Sequence, residues 1–220
     1  MNILRARIYL CILLALFSCY AFAGKEDLVK ALQQANQIME DSFLKFKTDG
    51  NTDHLYEADK QITQLSQRWK EDPNLVRPKL LEFQLKLLQM CFESHDKNYD
   101  LGNPPVAYIN VPLPRLTPGL MSGMDPADIQ DPEIRKEYEA AVAENKRREE
   151  KYAREKNLQY FIESGLSIIH GYINLSKELG TLESDAKIIK NTITNVDLMK
   201  KIKEEILVDF YDEKGVPRNK

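Results

Sequence analysis

The chain has too little cysteine to be held together by disulfides. Two of its three cysteines, Cys11 and Cys19, fall within the first 19 residues, so Cys91 stands alone in the rest. A disulfide framework is excluded beyond residue 23, and stability must come from an apolar core. No Cys-x-x-Cys-His occurs, which excludes covalent haem attachment of that type. Histidine is equally sparse. His54, His95 and His170 lie on separate predicted helices, so a zinc site would need distant segments to converge. The nine glycines form no phosphate-binding loop. Ser164, Gly165 and Ser167 do not make a nucleophile elbow, and no strand precedes them. Neither charge sign dominates: 31 Lys and Arg against 34 Asp and Glu give a net charge of −3. That balance argues against nucleic acid as a partner, since such binding is driven by phosphate neutralisation. No segment after residue 23 is long and apolar enough to cross a membrane.

What is present begins at the N-terminus. Arg5 and Arg7 precede an uncharged apolar run over 8–17 and the small-residue triplet Ala21, Phe22, Ala23. This order is that of a signal peptide over 1–23, with cleavage after Ala23. The uncharged stretch 8–23 is shorter than the roughly 20 residues of a spanning helix. Leu16, Phe17, Ser18 and Cys19 compete as a lipobox, in which Cys19 would carry a lipid anchor. The expected location is the periplasm, the cell envelope or the exterior. Cleavage after Ala23 leaves a single helical domain, 24–220, and loss of Arg5 and Arg7 takes its charge from −3 to −5.

Helical periodicity dominates before residue 97 and after residue 131. Leu28, Ala31, Leu32, Ala35, Ile38, Met39, Phe43 and Phe46 step by three and four, and Gly50 can end their helix. Leu55, Ala58, Ile62, Leu65 and Trp69 mark a second helix with Asp53 as its cap, broken by Asp72 and Pro73. A third is expected from Pro78; Leu80, Leu81, Phe83, Leu87, Leu88, Cys91 and Phe92 make it the most apolar and place it centrally. Residues 182–193 and 196–207, the latter capped by Thr194 or Asn195, close the chain before a frayed tail over 208–220. The fold class expected is all-α: an irregular domain of about six helices.

Residues 98–131 are different. Seven prolines fall between Pro104 and Pro132, with glycines at 102, 119 and 123. Proline removes backbone donors and fixes φ, so regular structure cannot persist. The stretch also carries Val106, Tyr108, Ile109, Val111, Leu113, Leu116, Leu120, Met121, Met124 and Ile129. That apolar load is costly to leave in water. We read an ordered, Pro-rich extended wrap over the helices, with room for at most a short edge strand. Asp125 before Pro126 and Asp131 before Pro132 suit N-cap and first-turn positions, giving a helical turn and then a long helix. Capping accounts for the Asp125, Asp128 and Asp131 spacing better than a calcium loop, whose ligands alternate.

Nothing forces a stop between Pro132 and Gly180. A helix of that length spans about 72 Å, against a diameter of about 40 Å for a compact domain of this size. It is therefore expected to project or to break near Asn157. Its middle, 144–157, offers only Tyr152 and Ala153 as apolar residues among mixed charges. Tyr138, Asn145 and Tyr152 recur every seven residues, a narrow stripe with a polar member that can select a partner helix, in this chain or another.

Gly123, Met124, Pro126, Ile129, Asp131, Pro132, Arg135 and Tyr138 follow a Gly-Met-x-Pro-x-x-Ile-x-Asp-Pro-x-x-Arg-x-x-Tyr pattern, continuing through Asn145 into a charged helix. In this the chain resembles a group of exported bacterial helical proteins over residues 104–156. The resemblance implies a bacterial source and export. It carries no activity, so no functional residue is transferred from it.

Cys91 and His95 stand four apart on one helix face, the spacing of a thiolate dyad, but Cys91 also continues the apolar stripe as a small hydrophobe would. Asn174, Leu175 and Ser176 match a glycosylation sequon in mid-helix. These patterns call for no metal, cofactor or catalytic group. The function expected is that of an exported, non-enzymatic interaction protein that binds a protein partner through its charged helix, with Tyr138, Asn145 and Tyr152 as contact residues. The alternative is an exported enzyme with a site between the helices and the wrap.

Overall fold

A computed structural model describes residues 3–99 and 125–208, with side chains from Gly24 onward. Residues 100–124 of the wrap expected over 98–131, residues 209–220 of the tail expected over 208–220, and the side chains of 1–23 lie outside the described residues. Among the described residues are six α-helices and no strand, so the fold is all-α. The helices are α1 (Ile3–Asp49), α2 (Asp53–Ser66), α3 (Pro73–Ser94), α4 (Pro132–Leu179), α5 (Leu182–Thr192) and α6 (Val196–Ile202). A 3-10 turn over Pro126–Asp128 precedes α4, and a π-helical turn over Lys203–Leu207 follows α6. Two compact units result: Met1–Met90 with Glu163–Lys220, and Cys91–Ile162.

In the first unit, α1 buries Leu28, Leu32, Ala35, Met39, Phe43 and Phe46 along one stripe and packs on α2, which buries Leu55, Ala58, Ile62 and Leu65. Gly50 adopts φ 72° and returns its N–H to the Phe46 carbonyl at 2.7 Å, the left-handed cap that ends α1. Asp53 does not cap α2. Thr52 holds the cap position and Asp53 lies in the first turn, its N–H donating to Asn51 Oδ1 at 2.9 Å. Trp69 is half-buried beyond the end of α2.

α3 starts at Pro73, five residues before the expected Pro78. Asp72 Oδ1 accepts the Leu75 N–H at 3.1 Å, so Asp72 and Pro73 open a helix as well as closing the preceding turns. Pro78 sits inside α3 and leaves the Asn74 carbonyl without its helical donor. Leu80, Leu81, Phe83, Leu85, Leu87 and Leu88 are all buried, so α3 is covered on more than one face. Each such side chain contributes roughly 1.5–3 kcal/mol. α4 approaches α3 closely at Gly165, where an added Cβ would stand 3.2 Å from Leu88 Cδ1.

The same unit holds a buried polar knot. The Arg77 guanidinium meets both Asp185 carboxylate oxygens and donates to Ser176 Oγ at 3.0 Å and Thr181 Oγ1 at 2.8 Å. This ties α3, the end of α4 and α5 together around Gly180, whose φ of 68° makes the turn. Burial pushes the Tyr172 phenol, beside the knot, up to about 12, with the Arg77 charge working against the shift. Asn195 caps α6 by accepting the Leu198 N–H at 3.0 Å, and the Gln89 side chain grips Thr194 through both its amide atoms.

In the second unit, Asp125 accepts the Ala127 N–H at 2.9 Å and Asp131 accepts the Glu133 N–H at 2.9 Å, so both aspartates cap the elements they precede. Arg135 Nε donates to the Ile129 carbonyl at 2.9 Å, fixing the 3-10 turn on the first turns of α4. α4 runs without interruption from Pro132 to Leu179, so of the two expected outcomes, projection or a break near Asn157, the break does not occur. No Pro lies within it after Pro132, and its charged middle supplies its own support through pairs three and four residues apart.

Candidate functional site

The side chains of α4 divide into two faces. Positions 138, 141, 145, 148, 152, 155, 159, 162, 166, 169, 173 and 176 alternate steps of three and four, and each is buried or half-buried. This is a heptad seam. It is apolar over Ile162, Leu166, Ile169 and Ile173, and polar over Asn145, Arg148, Tyr152, Glu155 and Gln159. The Tyr138, Asn145 and Tyr152 stripe seen in the sequence is one row of this seam. Tyr138 is buried, and Asn145 and Tyr152 are half-buried.

The opposite face of α4 is open. Lys146, Arg147, Glu149, Glu150, Ala153 and Lys156 are exposed, with Val142 among them. Glu144 accepts from Arg147 at 2.8 Å and from Arg148 at 2.8 Å, and Lys146 lies 3.9 Å from Glu150. The two guanidiniums hold the Glu144 carboxyl down at about 2. Exposed pairs three and four residues apart support a helix modestly and are weakened by salt.

Within the second unit, the chain leaving α3 folds back onto α4. Asp96 accepts the Asn98 N–H through Oδ1 at 3.1 Å and receives Lys151 Nζ on Oδ2 at 3.0 Å. These donors, Lys151 first, hold the Asp96 carboxyl below its ordinary range. Lys151 Nζ also stands 5.1 Å from the centre of the Tyr99 ring, and the Tyr99 and Tyr152 rings lie 6.0 Å apart. Beneath them is Glu155, fully buried, whose Oε2 accepts the Asp96 N–H at 2.8 Å. His95 Nε2 lies 3.9 Å from that carboxylate oxygen.

The sequence marked Tyr152 and His95 but missed Glu155, which it left among surface charges. The heptad step was the available signal: 141, 148 and 155 run beside 138, 145 and 152. Cys91, one turn before His95, is fully buried, as a small hydrophobe is. His54 pairs with Asp49 at 2.9 Å, away from His95 in sequence, and His170 lies on α4. Among the described residues, no group of three or more His, Cys, Asp or Glu side chains is placed to hold a metal ion. Ser176 of the sequon is buried in the Arg77 knot. A hollow of about 380 Å³ on α1 is lined by Lys25, Glu26, Val29, Lys30 and Gln33, all from successive turns of one helix.

Compared with known protein families, curated proteins and solved structures, the chain matches none.

Proposed function

We propose that this is an exported, non-enzymatic interaction protein that presents the charged middle of α4 to a protein partner. The observation that carries the reading is the division of α4 into an inward seam and an open face. Lys146, Arg147 and Glu150 expose 75, 71 and 68 % of their side chains. They form a patterned surface of both signs, which confers specificity and orientation on an encounter more than raw affinity. Tyr138, Asn145 and Tyr152 then act from the seam side, holding the helix that carries the patterned face; Tyr152 does so against Tyr99. Export rests on the ordered basic, apolar and small-residue segments of 1–23, and a bacterial source on the resemblance over 104–156.

The test uses the mature chain as bait in cell-envelope extracts, beside the double swap Lys146→Glu with Glu150→Lys. The swap keeps net charge and the pair four residues apart while inverting the pattern. The expected result is capture of the same protein repeatedly by the native chain and its loss with the swap, at an unchanged melting temperature. Equal capture by both would remove the charged face from the proposal. The native chain's intact mass should correspond to a start at Gly24; a lipid-modified Cys19 would replace cleavage after Ala23.

A further inference from the structure

The open face of α4 carries a charge pattern that becomes its own complement when reversed. Positions 139, 143, 146, 150, 153 and 157 step alternately by four and three along the side away from the buried seam. All are exposed except Asn157, which is half-buried, so a second heptad row runs down the helix opposite the first. The row lies wholly within the second unit, Cys91–Ile162. Around position 148 a basic step, Lys146 and Arg147, is followed by an acidic step, Glu149 and Glu150. Lys146, Arg147 and Glu150 are among the most exposed side chains of α4.

We propose that this face docks on itself: the partner of α4 is α4 of a second copy of this chain, lying antiparallel about a two-fold axis at position 148. The pairing rests on the charged middle being a protein-docking face, as argued above, and identifies what docks there. About such an axis, residues equally far before and after it share a layer, and each contact occurs twice. Lys146 then faces Glu150 of the second copy, and Glu150 faces Lys146 of the second copy. Arg147 flanks the same carboxylate, and Glu149 flanks the same ammonium. The next layer outward pairs Ala143 with Ala153, small enough for the two helices to approach closely. At each end of the row Lys136 meets Tyr160, a cation against an aromatic ring.

Other arrangements lose this match. A parallel pair would set Lys146 on Lys146 and Glu150 on Glu150. Sliding the antiparallel pair by one heptad brings Glu139 against Glu150 in one direction. In the other it leaves Lys146 against Asn157 and Glu150 against Ala153. Opposed like charges disfavour the wrong pairings, so charge selects orientation and register more than it adds affinity. Within one helix Lys146 already lies 3.9 Å from Glu150, so the second copy extends an existing pair instead of breaking it. The row holds few large apolar side chains, so the dimer is expected to be reversible and weakened by salt.

Sedimentation velocity of the mature chain at low salt, up to about 100 µM, tests it. The native chain should form dimers. Lys146→Glu alone, or Glu150→Lys alone, sets like charges face to face and should weaken them about tenfold. An equimolar mixture of these two variants should recover dimers, because opposite charges meet again. The double swap should pair with itself but not with the native chain. Both positions are exposed, so the melting temperature should not move. A native chain that stays monomeric at about 100 µM overturns the proposal, as does a mixture that dimerises no better than either variant alone. A monomeric chain that still captures a different envelope protein, with capture lost in the double swap, overturns self-pairing and leaves the docking face in place.

Discussion

Arg77 on α3 and Asp185 on α5 meet in two parallel contacts, one of them 3.2 Å from Nη1 to Oδ1, with 4 and 1 % of the residues exposed. Ser176 and Thr181 complete the cage by donating to Asp185 and accepting from Arg77. A buried pair of this kind gains little over a well-packed apolar pair, because desolvation offsets much of the attraction. Its effect is on geometry: it specifies which turn of α3 faces the bend from α4 into α5.

Removing one partner should therefore be far worse than removing both. Asp185→Ala is expected to cost about 3–5 kcal/mol by stranding the guanidinium. The double change Arg77→Met with Asp185→Leu should recover most of that. Urea unfolding of the mature chain measures both; an Asp185→Ala loss under about 1 kcal/mol would mean that the knot contributes little.

Gly165 tests the α3–α4 approach. An alanine Cβ there would press on Leu88 at 3.2 Å, a flexible side-chain end, while gaining about 1 kcal/mol of helix propensity. Gly165→Ala is expected to be near neutral. Gly165→Val adds branches into the same contact and should cost about 1–3 kcal/mol. A double-mutant cycle with Leu88→Ala should show favourable coupling between the two truncating and enlarging changes. Additive effects would place the strain elsewhere.

Glu144 reports on the charged face. Hydrogen bonds from Arg147 and then Arg148 lower its carboxyl to about 2. Because the folded value is depressed, any stabilisation is present above the ordinary carboxylate range and lost as pH falls toward about 2. Side-chain NMR should show Glu144 still ionised at pH 3.5 in low salt. Arg147→Gln with Arg148→Gln should return its titration to the ordinary range, and 1 M salt should move it part of the way, since the pairs are exposed. Ordinary titration in the native chain at low salt would show that the two guanidiniums do not hold it.

The helices were legible because their causes are local. Leu28 to Phe46 keep their spacing whatever surrounds them, and the pairs Asp125 with Pro126 and Asp131 with Pro132 act on adjacent backbone. The start of α3 was misplaced because Asp72 and Pro73 can end one helix and begin another, and periodicity alone favours the longer apolar run after Pro78. Part of the site was legible for the same reason: Tyr138, Asn145 and Tyr152 show a seven-residue step, which is a property of one helix.

By itself the sequence determined an all-α chain, the caps at Gly50, Asp131 and Gly180, a cap at Thr194 or Asn195 that the structure assigns to Asn195, and a helix from Pro132 with a charged middle. Only the tertiary structure decided which charges leave water. Arg77 and Asp185 are 108 residues apart, and His95 and Glu155 are 60 apart. A charged side chain looks the same in sequence whether it faces solvent or a partner brought back by the chain. Burial of charge is settled by what returns to cover it, so Glu155 became distinct from its neighbours only when residues 95–99 folded onto α4.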